Sequence, residues 1–391
     1  MERAAVVIRK YGVLLVSGRR THQEGHAAAF DAHPSCELIA VTDEHDVSAS
    51  RAEANQLLAD DYNIPYVADL GESLKLPGVD IVSACPDVER RGRVAVQCAD
   101  SGKCLYFDKP LAGTNEDARA IVEAVDRNGV TAQMFSQAHS SFAQDARAAI
   151  GSARIGELKA IHVECIFAKG PPGTLKSLAP RIERARPDRF TFVEAKREMF
   201  DIGVYAVALV RWLTGRKIST VDAVTSNFFF QEHEQAGVED FGIMIMDLEG
   251  GVSATIAAGR FGWTSHPAGG PLWIVLVGAN GTFTFDAHNP KFELHTDEAP
   301  FAMPERHSLD PMGMWASTQR ESNVMRKNRW QSFDQDPPGQ LADVSAFINS
   351  IENDVEPEMN VRLATSLAEV ILAGYESAAN GYSVKLPLAE H

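Results

Sequence analysis

From residue 12 onward, short apolar runs alternate with stretches whose apolar residues recur every three or four positions. Val13–Val16 predicts a strand, His22–Ala32 a helix and Leu38–Val41 the next strand. Ile81–Cys85 predicts a further strand, followed by a helix near Gly92–Ala99 and a strand at Cys104–Phe107. Thr114 is placed to cap a helix that carries Glu116 and Asp117 in its first turn and runs to about Asp126. Val130–Phe135 returns to strand. Strands alternating with helices imply a parallel sheet covered on both faces, and a doubly wound nucleotide-binding domain is its leading form.

After residue 150 the texture changes. Leu158–Phe167, Thr220–Phe229, Phe241–Asp247, Val252–Ala257, Trp273–Val277 and Gly281–Phe285 predict strands. Glu249-Gly250-Gly251 and Asn280-Gly281 supply hairpin turns, so this sheet is expected to be mostly antiparallel. One helix, Glu198–Leu213, enters early, and two more, near Gly339–Ile351 and Val361–Ala379, close the chain. The expectation is an α/β protein with an α+β second domain. Gly170–Glu194 and Asp297–Pro338 read as irregular, either as lids and binding segments or as mobile loops.

Length supports the division, since 391 residues exceed the usual size of one hydrophobic core. A formal net charge of −16 disfavours contact with nucleic acid or anionic lipid. No apolar run reaches bilayer length. Arg9 and Lys10 split the first apolar stretches and no small-residue cleavage site follows, so no signal peptide is expected. Five cysteines without a CxxC spacing argue against a disulfide framework or structural zinc and for the reducing cytoplasm.

The turn after Val13–Val16 reads Ser17-Gly18-Arg19-Arg20-Thr21-His22-Gln23. Of a G-x-G-x-x-G fingerprint only Gly18 is present, with Arg20 and Gln23 in the other two glycine positions. A helix start there still offers N–H groups to an anion, and Arg19 or Arg20 has the chemistry to pair with a phosphate. Asp43 ends the second strand, where a carboxylate binds the adenosine ribose. It favours NAD over NADP, while the arginines pull the other way; a capping role for Asp43 stays open.

Two further motifs carry chemistry. Phe107-Asp108-Lys109-Pro110 ends a strand at the sheet edge where ligands bind. Asp201 and Tyr205 stand four apart on the predicted helix Glu198–Leu213, so both project from one side. Gly203 between them costs about 1 kcal/mol of helix propensity relative to Ala, which implies a close approach there. A surface Asp and a core-edge Tyr would give the same spacing. Together the residues suit hydride transfer. Lys109 would steady the substrate oxygen and lower the pKa of a neighbouring phenol, Tyr205 would move the proton, and Asp201 would orient the substrate. The histidines are scattered along the chain without an evident acidic partner, so no metal is expected.

With these motifs in order, residues 12–387 resemble the glucose–fructose oxidoreductase/inositol dehydrogenase/rhizopine catabolism superfamily. Cys104–Ala112 is similar to the family strand ending in Glu-Lys-Pro, with Asp108 for Glu, and the resemblance gives Lys109 the catalytic lysine role. Cys85-Pro86-Asp87 resembles the Thr-Pro-Asn turn along the nicotinamide half of the cofactor. Phe200–Gly215 is similar to the family helix D-x-G-x-H…W-L-x-G, with Tyr205 for the commoner His. Phe347–Pro387 resembles the closing helix and last strand. The departures are the two lost glycines, Ala195-Lys196-Arg197 in place of a small-residue run, and His139 where Asn is frequent.

The resemblance implies a Rossmann domain over 1–137 and, over 138–391, an α+β domain with an open-faced sheet for substrate binding and self-association. The C-terminal helices could pack back on the first domain. It implies cofactor contacts from Gly18, Arg19, Arg20, Asp43, Cys85, Pro86, Asp87, Asp108 and Lys109, and substrate contacts from His139, Asp201 and Tyr205. The implied partners are NAD or NADP, a sugar, polyol or sugar derivative, and copies of the chain in a homodimer or homotetramer. Two rival activities are cofactor-retaining glycoside cleavage and nucleotide-responsive regulation without turnover.

Overall fold

A computed structural model describes residues 10–151, 154–168, 197–261, 272–286, 291–296, 329–332 and 339–388. Expectations for Gly170–Glu194, for Ala195 and Lys196, and for most of Asp297–Pro338 lie outside the described residues.

The first half forms β1 (Tyr11–Val16), α1 (Gln23–Ala32), β2 (Cys36–Thr42), α2 (Ala49–Tyr62), β3 (Tyr66–Val67), α3 (Leu70–Ser73), β4 (Val79–Ala84), α4 (Val88–Asp100), β5 (Cys104–Phe107), α5 (Asn115–Asn128) and β6 (Ala132–Met134). The six strands form one sheet in the order β3-β2-β1-β4-β5-β6, and every pairing is parallel. This is the doubly wound order, in which the winding direction reverses between β1 and β4. The strands are buried on both sides, as helices on each face require: Val13, Leu14, Leu15 and Val16 are wholly inaccessible. Thr114 caps α5 as expected, its side chain accepting from the Asp117 N–H.

Helix α6 (Ser141–Gly151) leads into β7 (Leu158–Ala168), α7 (Glu198–Asp201), α8 (Gly203–Thr214), β8 (Ile218–Ser226), α9 (Gln231–Gln235), β9 (Phe241–Leu248), β10 (Val252–Phe261), β11 (Leu272–Gly278), β12 (Gly281–Asp286), β13 (Lys291–Thr296), β14 (Arg329–Ser332) and β15 (Val384–Lys385). They build a nine-stranded sheet, order β14-β13-β12-β11-β7-β10-β9-β8-β15. It is antiparallel except where β10 runs parallel to β7. Alternation is strict along β9: Gly242, Met244, Met246 and Leu248 are buried, while Ile243, Ile245 and Asp247 are exposed.

Three expectations fail for local physical reasons. The strand predicted to reach Phe229 stops at Ser226, because the Asp240 carboxylate gathers the N–H groups of Phe228, Phe229 and Phe230 at 2.8–3.1 Å and pulls the chain out of the ladder. The stretch Asp297–Pro338 is not irregular throughout, since Arg329–Ser332 pairs with β13. Its polar composition carries no alternation, so only the partner strand fixes it. The single helix Glu198–Leu213 is two, broken at Ile202.

The C-terminal helices, Gly339–Asn353 and Val361–Asn380, pack against α1 and α5 respectively. The link is polar as well as apolar. Tyr106 on β5 donates to the Asp343 carboxylate at 2.6 Å, and Gln133 on β6 donates to the same carboxylate at 2.9 Å. These buried bonds hold the strand that ends in Asp108 and Lys109.

Candidate active site

A cleft of about 480 Å³ opens beyond the C-terminal ends of β1, β4 and β5 and is closed on its far side by α7, α8 and β10. Ligands of open α/β sheets settle at such a switch point. Of the expected site residues, Arg20, Cys85, Pro86, Asp87, Asp108, Lys109, Asp201 and Tyr205 line it. Gly18, Arg19, Asp43 and His139 do not.

Lys109 and Tyr205, 96 positions apart, meet here: the lysine Nζ lies 4.7 Å from the centre of the tyrosine ring. Lys109 donates to the Asp201 carbonyl at 2.6 Å and to its carboxylate at 3.1 Å. The break after α7 makes the first bond available. In a continuous helix the Tyr205 N–H would take the Asp201 carbonyl; instead it bonds Ile202 at 3.1 Å. Gly203 opens α8, and a Cβ built there would meet only Ala258 at ordinary contact distance, 3.5 Å. The close approach inferred from that glycine is therefore absent; the residue marks a helix start.

The expected effect of Lys109 on the phenol is overturned. Burial raises the Tyr205 hydroxyl well above its ordinary range, and the Asp108 and Asp201 carboxylates push it the same way. The ammonium stands over the ring face instead of at the oxygen, so it does not prevail. Asp201 also differs from expectation: its side chain is 3% exposed, with one carboxylate oxygen on Lys109 and the other on Arg260 at 2.7 Å. It positions cations more than it faces a substrate.

Asp108 is equally committed. One oxygen accepts from His22 at 2.7 Å and from the Lys109 N–H at 2.8 Å. Burial alone would raise its carboxyl, but His22, His26 and Arg91 outweigh it and hold the group well below the usual carboxylate range. Arg91 joins the two turns at the cleft floor, donating to the carbonyls of Pro86, Asp108 and Pro110. The Lys109–Pro110 peptide is cis. The Cys85 thiol is driven well up by burial and by Asp108, so it stays protonated.

At the nucleotide end, a Cβ on Gly18 would fall 2.5 Å from the Ala54 carbonyl oxygen, so glycine is required there for α2 to dock. Arg20 keeps the left-handed backbone (φ 65°) in the second fingerprint position. Its exposed side chain has no ion pair among the described residues. Arg19 instead pairs with Asp61 on α2. Gln23 fits without the third glycine because its side chain is buried and accepts from Ser83 at 3.1 Å. Asp43 is wholly buried, its carboxylate taken by Ser17, Asn55 and Arg90 at 2.9, 3.0 and 2.7 Å. Arg90 also pairs with Glu44 and Asp87. His139 lies outside the cleft, within electrostatic reach of Glu358 and Arg147, and burial lowers its pKa.

Sequence reading missed His22, Arg91 and Arg260. Two of them had a signal. Arg91 stands on the stripe of α4 that also carries Val94, Ala95 and Cys98, all inaccessible. Arg260 follows Ala254, Ile256 and Ala258 on the inward parity of β10. A charge on an apolar stripe needs a buried partner.

Known proteins share this fold. The model of the oxidoreductase family with an NAD-binding Rossmann fold matches residues 14–136, and that of the GFO/IDH/MocA C-terminal domain matches residues 143–284. The scyllo-inositol 2-dehydrogenase (NAD(+)) of Bacillus subtilis (strain 168) is 25% identical over 215 residues, 54% of this chain and 56% of that one. An oxidoreductase domain protein from Kribbella flavida superposes with a TM-score of 0.74 at 17% identity, over 97% of this chain and 100% of that one. A levoglucosan dehydrogenase in complex with NADH and levoglucosan gives 0.75 at 16% identity, over the same shares. The chain belongs to the GFO/IDH/MocA family, an oxidoreductase family with an NAD-binding Rossmann fold.

Proposed function

We propose that this oxidoreductase is a dehydrogenase that moves a hydride between a nicotinamide cofactor and a hydroxyl-bearing carbon of a sugar, cyclic polyol or sugar derivative. The observation that carries this reading is the Lys109 ammonium and the Tyr205 phenol in one cleft at the switch point of the sheet. The donor set fits a dinucleotide: the Arg20 guanidinium, without an ion pair among the described residues, stands ahead of α1 for a pyrophosphate, and the Cys85-Pro86-Asp87 turn lies along the cleft. When bound, the nicotinamide supplies the hydride acceptor or donor. In the reducing direction Lys109 steadies the substrate oxygen as negative charge grows on it, and Tyr205 gives that oxygen its proton. In the oxidising direction Tyr205 takes the proton back.

NAD is the preferred cofactor in this reading. Arg90 and Arg93, the latter on Glu44 at 2.7 Å, stand against three carboxylates, Asp43, Glu44 and Asp87, so the end of β2 keeps one surplus negative charge against a 2′-phosphate. Asp43 reaches a ribose only if Arg90 yields its place. Incubation with NAD and a panel of sugars and cyclic polyols is expected to produce absorbance at 340 nm, with NADP at least about tenfold weaker. Tighter binding of NADP would reverse the cofactor preference, and no reduction with any member of the panel would remove the dehydrogenase reading.

We place the domain boundary at residues 137/138, between β6 and α6, where the two family matches also part. The outward face of the large sheet supports self-association: Val224 on β8 and Ile243 and Ile245 on the adjoining β9 are 59%, 41% and 53% exposed, and Trp273 on β11, with two strands between it and β9, is 47% exposed. Light scattering is expected to give the mass of a dimer or tetramer, and Ile245→Lys to shift it to the monomer. A wild-type monomer at micromolar concentration would dismiss the assembly. Five free thiols, four of them buried, fit a cytoplasmic setting. No described helix is long and apolar enough to cross a membrane.

A further inference from the structure

Beside the lysine–tyrosine pair runs a row of linked polar side chains, two cations alternating with two carboxylates and ending on a histidine. Lys109 bonds one oxygen of Asp201 at 3.1 Å. Arg260 bonds the other at 2.7 Å through one terminal nitrogen, and its Nε bonds Glu198 at 2.6 Å. His233 on α9 reaches the second Glu198 oxygen at 3.0 Å. The side chains are 4%, 3%, 12%, 2% and 12% exposed in that order, so water screens none of these contacts well.

We propose that Arg260 is a positioning residue of the reaction centre: it fixes Asp201, and through Asp201 the Lys109 ammonium, against Tyr205. The proposal rests on the hydride-transfer reading. Two buried carboxylates stand against two cations, and each carboxylate would be costly without its share. Arg260 spans both acids because its guanidinium presents separate donors along two edges. Asp201, held from that side, turns its remaining oxygen and its carbonyl to Lys109. These two bonds use two of the three ammonium donors and leave the third for a ligand in the cleft. Glu198 and His233 anchor the guanidinium from behind, so the alignment is carried by the second domain.

Purified Arg260→Gln is expected to lose about 10²-fold in kcat, the scale of a misplacement near 1 Å, while NADH affinity measured by fluorescence stays at the wild-type value. Arg260→Lys should recover part of the loss, since an ammonium serves one carboxylate where the guanidinium serves two. The double variant Arg260→Gln/Glu198→Gln removes charge and countercharge together. It keeps the test alive if the single variant does not fold, and should show the same split between kcat and cofactor affinity. Wild-type kcat in folded Arg260→Gln or in the double variant would overturn the proposal. If the wild type turns over no polyol, the functional reading fails and a crystal structure of the double variant decides the positioning role. Displacement of the Lys109 amine from the Tyr205 ring would support it, and an unchanged 4.7 Å separation would overturn it.

Discussion

Lys109→Met is expected to lower kcat for polyol oxidation by about 10³-fold, the scale of removing a preorganised group that meets charge developing on the substrate oxygen. The protein should stay folded, because Arg260 still pairs with the Asp201 carboxylate at 2.7 Å and methionine refills most of the apolar length of the lysine. Lys109→Arg should not restore turnover. A planar guanidinium at a site 4% exposed cannot place one donor where the ammonium does. Steady-state kinetics with saturating NAD, beside a melting curve for each variant, read both effects. Turnover within about threefold of wild type in Lys109→Met would dismiss the lysine from the chemistry.

Tyr205→Phe is expected to cost about 10²- to 10⁴-fold in kcat, the usual reach of a general acid–base group. Its pH dependence is the sharper test. Burial and the carboxylates of Asp108 and Asp201 hold the phenol proton well above the ordinary range, so Tyr205 is protonated at neutral pH. Reduction of a carbonyl substrate needs that proton and should be level with pH across the neutral range. Oxidation of an alcohol needs the site to accept a proton, and its rate should rise steadily with pH through and above neutrality. The rise should vanish in Tyr205→Phe. A wild-type oxidation rate that levels off near neutrality would mean a group of lower pKa takes the proton. The two directions, each assayed by nicotinamide absorbance over a pH series in one ionic strength, separate these outcomes.

The elements legible in the sequence are those whose periodicity matched their burial. β1 and β5 are continuous apolar runs because helices cover both faces of their sheet, and β9 alternates because one face of its sheet is open. Helix α2 escaped notice. Its buried residues, Ala54, Asn55, Leu58 and Ala59, make a stripe that is short and partly polar, and its docking is decided by Gly18 on another element. β14 escaped for a related reason, since an edge strand is defined by the one neighbour it pairs with.

The amino-acid order by itself determined the plan of a parallel and a mostly antiparallel sheet and marked the two motifs proposed to bear the chemistry, Asp108-Lys109-Pro110 and Asp201 to Tyr205. Those signals are local, set by strand ends and helix spacing. Only the tertiary structure decided what the groups do. It broke the helix at Ile202 and turned the Asp201 carbonyl to Lys109. It set the ammonium over the ring face of Tyr205 and brought Arg260 from β10 against Asp201. It also buried Asp43 under the side chains of Ser17, Asn55 and Arg90. The reason is electrostatic: a buried charge takes its state and direction from every group within a few ångströms, and those groups come from elements far apart in the chain.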